Sequence, residues 1–168
     1  MYETNRLILR KAVFSDWEQM YRNIWCHEET ARYMLWTVTE SEAAAKERME
    51  RTIAFQQSHH AWLVIDKESG EAIGFAGLRE EKGVCEDTGI AVGPRYVGKG
   101  YGTEILNELV RIAKEGLNAH GFIATCRSEN EASRKMILGC GFQFSHTEPR
   151  TDPRNGEAYT AEFYQREL

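Results

Sequence analysis

The sequence predicts an α/β (α+β) domain built on a mixed, mostly antiparallel twisted sheet of about six to seven strands, with helices on both faces. Three β-type runs, "AWLVIDK", "EAIGFAGLREE" and "VCEDTGIAV", are separated only by "ESG" and "KG", which is typical of an antiparallel meander. The meander leads through "GPRYVGKGYG" into an amphipathic segment. An antiparallel block joined to a strand, turn, helix and strand predicts a mixed sheet.

The first quarter of the chain predicts one strand and three helices. "RLILRKA" (6–12) is a strand, and "SDWEQMYRNIW" (15–25) is a helix capped by Ser15 or Asp16. A short helix is expected around "EETARYM". Thr39 and Glu42 have the spacing of a capping box, which predicts a helix over about 40–57.

The rest of the chain alternates strands and helices around the glycine-rich turn. The helix after the turn has apolar residues at three- and four-residue spacings, which predicts one face against a sheet; they are Ile105, Leu106, Leu109, Ile112 and Ala113. The later elements are a strand "GFIATCR", a helix "ENEASRKMILGC" and two closing strands, "GFQFSHTE" and "EAYTAEFYQREL", around a polar loop. No repeat or linker interrupts the chain, so residues 1–168 form one predicted domain.

Composition restricts the class of protein. The chain is 42% hydrophobic and 28% charged, and no apolar run approaches the roughly twenty residues of a membrane span. The N-terminus lacks a signal-peptide pattern, so we expect a cytoplasmic protein with no membrane partner. The net charge of −5 argues against a nucleic-acid partner. The cysteines have no metal-binding spacing and are expected to be buried free thiols; they are Cys26, Cys85, Cys126 and Cys140.

The glycine-rich turn predicts an anion site, because bare backbone and a helix N-terminus suit a phosphate. Residues 93–99 satisfy the first seven positions of the G-x-x-x-x-G-K-[ST] nucleotide loop, but Gly100 has no hydroxyl for magnesium. A dinucleotide fingerprint starting at Gly98 fails at Thr103. A turn without a ligand would seldom need three alternate glycines.

"RYVGKGYG" resembles the R/Q-x-x-G-x-G/A signature of the GCN5-related N-acetyltransferases (GNAT), which bind the pyrophosphate of acetyl-coenzyme A. "NEASRKMILGCGF" (130–142) stands where that family has its asparagine-led helix, and "TNRLILR" resembles the opening of the branch that contains the ribosomal-protein alanine N-acetyltransferases. The resemblance covers nearly the whole chain. It implies the GNAT fold and transfer of an acetyl group to an amine, with acetyl-coenzyme A as co-substrate and no metal.

The resemblance implies a coenzyme site on the turn and on the strand before it. Main-chain amides of the turn hold the pyrophosphate, and the freed edge of the strand pairs with the pantetheine arm. Gly89 marks either a bulge that frees an amide for the oxyanion or a packing glycine. Asn130 either bonds the arm, caps the next helix, or does both. The implied cofactor-binding residues are Ile90, Ala91, Val92, Arg95, Val97, Gly98, Lys99, Gly100, Tyr101, Gly102, Asn130 and Lys135.

The catalytic residues depart from the commonest family pattern. Many relatives have a tyrosine acid at the position of Ile137, whereas Ser133, one turn earlier, matches a serine that takes this role in the ribosomal-protein branch. An ordinary helix serine is the alternative. The same alignment gives Asp152, or the nearby Glu148, as a candidate base, although "EPRTDPRNG" also fits a polar turn.

The acceptor is the least determined part of this prediction. Trp25, His27, Tyr33 and Trp36 either wall an acceptor pocket or belong to the core. The acidic chain favours a cationic acceptor, such as a protein N-terminus, a polyamine or an aminoglycoside. A monomer and a homodimer are both compatible with the sequence. The non-enzymatic alternative is a module that binds the coenzyme as a sensor, and the missing tyrosine supports it.

Overall fold

An eight-stranded sheet is the frame of the computed structural model, which describes residues 1–168. Its spatial order is β1-β2-β3-β4-β5-β6-β8-β7, and every neighbouring pair is antiparallel except β5 and β6, which run parallel. The predicted mixed, mostly antiparallel sheet is confirmed, with a two-residue strand added at one edge. The strands are β1 Tyr2–Glu3, β2 Leu7–Arg10, β3 His60–Asp66, β4 Ala72–Glu81, β5 Val84–Val92, β6 Gly121–Arg127, β7 Gln143–Thr151 and β8 Ala158–Glu167.

Five helices cover the sheet. They are α1 Trp17–Met20, which continues in a wider turn over Tyr21–Trp25, α2 Glu28–Ala31, α3 Glu42–Ser58, α4 Tyr101–Arg111, which continues over Ile112–Gly116, and α5 Glu131–Gly139. None of them combines the length and the apolar character that crossing a bilayer requires.

The predicted cap of α3 is wrong, and Asp16, one of the two predicted caps of α1, has the N-cap position without a capping hydrogen bond to its side chain. Ser41, not Thr39, caps α3, because its hydroxyl accepts a hydrogen bond from the Ala44 amide at 3.1 Å. The Thr39 hydroxyl instead accepts from Arg48. Asp16 does not cap α1 with its side chain; its carboxylate accepts from the Val13 amide and forms an ion pair with Arg10. Each of these two polar side chains binds an arginine side chain in place of a helix end.

The apolar core lies on both faces of the sheet. Trp62 and Val64 of β3 belong to the larger cluster, which packs under α4 and α5, whereas Leu63 and Ile65 belong to the cluster under α1 and α3. Because neighbouring strand residues point to opposite faces, these two clusters are separated by the sheet. The predicted apolar face from Ile105 to Ala113 is fully in the first cluster. Helices on both faces are thus confirmed.

The four cysteines are free thiols, and three of them are buried as predicted. Cys26 is the exception and lies exposed just after the wide turn that ends at Trp25.

Candidate active site

The glycine-rich turn presents a row of unused main-chain donors. Gly98 and Gly100 have φ angles of +75° and +79°, a conformation that strongly favours glycine. Every main-chain N–H from Val97 to Thr103 lacks a hydrogen-bond acceptor within the protein, and no side chain caps α4. Such groups bind water or a ligand, and the positive end of the helix dipole adds to their attraction for an anion. The turn is therefore built as an anion cradle.

Arg6 fixes this turn, and sequence reasoning missed it. Its guanidinium donates to the Lys99 carbonyl at 2.8 Å and to Glu104 at 2.7 Å, and it lies over the ring of Tyr101. The contact joins the residue before β2 to the turn across more than ninety residues of chain, so no local pattern could have shown it.

The flanking cations that were predicted to help hold the anion differ in how available they are. Arg95 and Lys99 are exposed, and neither forms an ion pair with an acidic residue. Lys135 is also exposed but pairs with Glu131, one helical turn earlier, at 2.9 Å.

Strands β5 and β6 separate and open a cleft beside the turn. Their main-chain pairing is confined to Val84–Glu86 against Gly121–Ile123, and beyond this point the ladder between the two strands ends. The cleft has a volume of about 90 Å³. Its lining brings together the predicted residues Ile90, Asn130 and Ser133 with Asp87, Gly89, Thr125 and Ile137, among others. Ala91 and Val92 lie on the same strand but do not line the cleft.

Gly89 lies at a β-bulge, as one of the two interpretations of this glycine predicted. Gly77 is opposite Gly89 and Leu78 is opposite Asp87, so Thr88 has no partner on β4. Gly89 has a φ of +130°, which a larger residue would rarely adopt. A bulge turns the backbone out of the regular ladder, and here it does so at the mouth of the cleft.

Asp87 occupies the point where the two strands part. Its carboxylate accepts a hydrogen bond from the Thr125 amide at 2.9 Å and so replaces the missing strand partner. Burial raises the pKa of Asp87 to about 7. Beside it, the Thr125 hydroxyl is buried and has no hydrogen-bond partner. Sequence reasoning missed Asp87, because Glu86 and Thr88 flank it in β5 and no local pattern separates it from a surface carboxylate.

Asn130 and Ser133 stand together at the start of α5. The Asn130 side-chain oxygen accepts from the Ser133 amide at 3.1 Å, which makes Asn130 the helix cap. Its side-chain NH₂ makes no hydrogen bond within the protein and stays available to a ligand. The Ser133 hydroxyl lies against the Cys126 thiol, whose pKa burial raises to about 11.

Neither Tyr96 nor Tyr101, the two tyrosines of the turn, offers a free hydroxyl, whereas Tyr33 lines the cleft and its hydroxyl makes no hydrogen bond within the protein. Ile137, at the position of the usual family tyrosine, is buried and lines the cleft. The Tyr101 hydroxyl donates to Asp66 at 3.1 Å, and the Tyr96 hydroxyl faces Glu71 at 3.4 Å. Ser133 is left as the hydroxyl on α5 that faces the cleft.

Asp152 and Glu148, the two predicted bases, lie outside the cleft. Asp152 is buried in ion pairs with Arg154 at 2.8 Å and Arg127 at 2.6 Å, and these hydrogen bonds hold the pKa of its carboxyl far below the usual range. Glu148 is exposed on β7 and contacts His146 and Arg150. A carboxylate with so low a pKa is a weak base, so the surroundings of Asp152 favour a structural role.

The Asp152 ion pairs connect the two sides of the site. Arg154 donates to the main-chain carbonyls of Ala31 and Trp36, at 2.8 and 3.0 Å, and so anchors the segment between α2 and α3. Arg127, on the other side of Asp152, lines the cleft. The loop between β7 and β8 is thus a clamp that fixes the segment 31–36 relative to β6.

A second and much larger cavity, of about 1060 Å³, lies on the other face of the sheet. Its walls come from α3, from the segment before it and from β3 to β5, and they include Trp25, Trp36, Phe55, Phe75, Arg48 and Arg51. Gly89 lines this cavity and the cleft, so the two spaces meet at the bulge. We call the larger space the acceptor cavity.

The four aromatic residues proposed as pocket or core have different positions. Trp25 belongs to the core, where it is only 2% exposed, and it also lines the acceptor cavity. Trp36 lines the acceptor cavity and Tyr33 lines the cleft. His27 lines neither, and its ring bonds the Arg22 carbonyl.

Comparison with known proteins agrees with this geometry. Residues 6–143 match the family model described as an acetyltransferase (GNAT) domain. The chain is 28% identical over 145 residues to the uncharacterized N-acetyltransferase p20 of Bacillus licheniformis, covering 83% of this chain and 80% of that protein. An acetyltransferase of the GNAT family from Bacillus anthracis superposes with a TM-score of 0.84 at 21% identity, covering 98% and 96% of the two chains. RimL, a ribosomal L7/L12 alpha-N-protein acetyltransferase solved with coenzyme A, gives a TM-score of 0.80 at 18% identity, covering 98% and 96%.

Proposed function

This chain belongs to the GNAT family of acetyltransferases, and we propose that it transfers the acetyl group of acetyl-coenzyme A to a primary amine that enters through the acceptor cavity. The observation that carries this proposal is the meeting of the two spaces at Gly89. A thioester in the cleft and an amine in the cavity would face each other there. Holding two reactants in this way removes much of the entropy cost of their encounter.

The turn would hold the coenzyme through its pyrophosphate. The unpartnered amides from Val97 to Thr103 fit a diphosphate, whose oxygens accept several hydrogen bonds at once. Arg95 and Lys99 would add positive charge from the rim. Along the pantetheine arm, the Asn130 NH₂ and the free edge of β5 are the groups left without partners.

The reaction needs a stabilised oxyanion and a proton for the departing thiolate. As the amine nitrogen bonds to the acetyl carbon, negative charge develops on the carbonyl oxygen, and a main-chain N–H beside the bulge at Gly89 would stabilise it. The carbon–sulfur bond then breaks, and the Ser133 hydroxyl would pass a proton to the sulfur while it regains one from solvent water; the proton taken from the amine returns to solvent. This role for Ser133 rests on its place in the cleft and on the family resemblance.

We propose Asp87 as the group that takes the proton from the attacking amine. It lines the cleft, and a base with a pKa of about 7 suits an α-amine, whose own pKa is near 8. Asp152 and Glu148 remain outside the cleft, and neither offers a comparable carboxylate to the amine.

The acceptor is either a protein N-terminus or a small-molecule amine. The RimL name describes transfer to a protein α-amine, and at 18% identity that likeness supports the fold rather than the substrate. The cavity is large enough for several side chains of a peptide or for a compact metabolite.

The test is a thiol-release assay with acetyl-coenzyme A and a panel of peptide α-amines, polyamines and amino acids, with products identified by mass. We expect acetylation of at least one class of amine. Calorimetry with the coenzyme, and separately with magnesium and ATP, accompanies it. Coenzyme binding with no turnover on any amine would favour the sensor alternative, and magnesium-dependent ATP binding without coenzyme binding would contradict the assignment of the turn.

A further inference from the structure

The acceptor cavity contains an arginine whose charge no acidic residue balances. Arg48, on α3, forms no ion pair, and Glu40 is the only acidic residue in the cavity lining. Arg51, one turn further along α3, also lines the cavity and is likewise without an acidic partner. The chain as a whole is acidic, with a net charge of −5, so the cavity has the opposite sign to the molecule.

Two tryptophans hold the guanidinium of Arg48 in place. Its central carbon lies 4.3 Å from the ring centroid of Trp36 and 4.7 Å from that of Trp25. The ring faces attract the positive charge of the guanidinium, but they accept no hydrogen bonds from the N–H groups at its edge. The group is therefore positioned without being neutralised.

Most of the donors of Arg48 are unused. Nη1 donates to the Thr39 hydroxyl at 3.0 Å and lies 3.5 Å from the Thr37 carbonyl, while Nε and Nη2 make no hydrogen bond within the protein. The indole N–H of Trp36 is also without an acceptor. Nε and Nη2 of Arg48 and the indole N–H of Trp36 are thus unused donors close together in the cavity wall.

Holding this charge in the cavity has an electrostatic cost. Burial, together with the nearby charge of Arg51, lowers the pKa of Arg48 to about 10. An anion beside the guanidinium would relieve both effects, since it would supply the missing acceptor and oppose the Arg51 charge.

Resting on the proposed function, we infer that the acceptor amine carries an anionic oxygen group, a carboxylate or a phosphate, that binds the free edge of Arg48 while the amine reaches Gly89. Both residues line the same cavity, so one molecule can satisfy both. The acceptor is then zwitterionic or acidic, and a simple polyamine is excluded as the preferred substrate. Planar guanidinium suits either oxyanion, because its N–H groups form a fork that matches paired oxygens.

The test compares acceptors that differ only in the anion. The first pair is the peptide amides glycyl-glutamic acid amide and glycyl-glutamine amide, and the second is O-phosphoethanolamine and ethanolamine. We expect kcat/KM to favour the anionic member of at least one pair by about 10- to 100-fold, since a hydrogen bond to a charged group is worth roughly 1.5–3 kcal/mol. The pair that shows the preference identifies the oxyanion.

Variants connect the preference to Arg48. In Arg48→Gln the ratio of kcat/KM for the anionic acceptor to that for the neutral one should fall to within about twofold of unity. Arg79 is a surface arginine outside the cavity, and Arg79→Gln should retain the ratio of the unaltered chain. Arg48→Lys keeps the charge and the contact with the rings but loses the fork, and an intermediate preference is expected. Equal kcat/KM within both pairs for the unaltered chain, or a preference that survives Arg48→Gln, would overturn the inference.

A binding measurement separates this inference from the proposed function. Inorganic phosphate and acetate, each against sodium chloride at equal ionic strength, should quench tryptophan fluorescence in the unaltered chain and not in Arg48→Gln. No acetylation of any amine would refute the proposed function. Quenching that is absent, or equal in both chains, would refute the anion site.

Discussion

The coenzyme cleft and the acceptor cavity lie on either side of Gly89 and are built by different means. On the coenzyme side, the groups offered to a ligand are mostly main-chain amides, exposed by left-handed glycines and by the parting of β5 and β6. On the acceptor side they are side chains, dominated by the aromatic residues around Arg48.

This difference determines how each region can change. Main-chain recognition depends on backbone conformation, so the turn requires glycine at fixed positions and tolerates little variation. The acceptor cavity depends on the side chains that several segments bring together, and those of α3 and of the segment before it can be replaced without altering the sheet. We expect the coenzyme site to be shared among relatives and the acceptor cavity to set the substrate.

The largest expected effect is on the main-chain side, from Gly100→Asp. At a φ of +79°, an aspartate is strained and places a negative charge where the pyrophosphate would bind. The dissociation constant for acetyl-coenzyme A should rise by about 100-fold or more, as measured by calorimetry.

Gly156→Asp is the matched control for this change. Gly156 also has a positive φ, with open space around it, but lies in the loop between β7 and β8. It introduces the same strain and charge away from the turn, so coenzyme affinity should be unchanged. If the folded Gly100→Asp protein bound acetyl-coenzyme A as tightly as the unaltered chain does, the turn would not be part of the coenzyme site.

Asp87→Asn tests the border between the two regions. The amide oxygen can still accept from Thr125, so the cleft should keep its shape while the base is lost. We expect kcat to fall by roughly 10²- to 10³-fold and the rise of activity with pH near 7 to disappear. A pH profile identical to that of the unaltered chain would contradict a role for Asp87 as the base.

Asp87→Asn should lower the activity but raise the stability of the folded protein at neutral and higher pH. The pKa of Asp87 is about 7 in the folded protein and about 3.9 in an unfolded chain, so the folded form binds more protons between these values. Stability therefore falls as the pH rises from about 4 to about 7, and asparagine removes this loss. The melting temperature of Asp87→Asn should exceed that of the unaltered chain at pH 8 and not at pH 4.

Ser133→Ala should have a smaller effect, confined to the chemical step. We expect kcat to fall by about 10²-fold or less, because a thiol with a pKa near 8.5 is already a tolerable leaving group. Coenzyme affinity should change little, since the interaction develops only as the thiolate departs. Ser145→Ala, on exposed β7, is the control. A wild-type kcat under conditions where chemistry limits the rate would make Ser133 an ordinary helix residue.

Asp152→Asn should have the smallest effect on kcat, within about twofold, because its carboxylate lies outside the cleft. The clamp should weaken instead, which raises the KM for the acceptor and lowers the melting temperature by roughly 10 °C. Since its carboxyl pKa is depressed, this stabilisation is present above the unfolded value of about 3.9 and is lost as the pH falls further. A large loss of kcat with unchanged stability would restore Asp152 as the base.

Local sequence patterns were sufficient for most of the fold. Residue alternation predicted the meander, and apolar spacing from Ile105 to Ala113 predicted the buried face of α4. The capping patterns at Thr39 and Asp16 failed because these side chains bind Arg48 and Arg10, nine and six residues away along the chain, in place of the helix ends. Glycine spacing indicated the anion cradle, whose donors belong to the backbone of one continuous segment.

The sequence by itself determined the class of this protein, its sheet, and the glycine-rich turn with its free main-chain donors, because each depends on neighbours along the chain. Tertiary structure alone decided the rest of the site. It placed Asp87 opposite Thr125, 38 residues away, and joined Arg154 to the Trp36 carbonyl across 118 residues. It also set Arg48 between two tryptophans in a basic cavity of an acidic protein. Burial, pairing and charge at these positions arise only when separate segments meet, so the physical environment of the acceptor exists only in the folded chain.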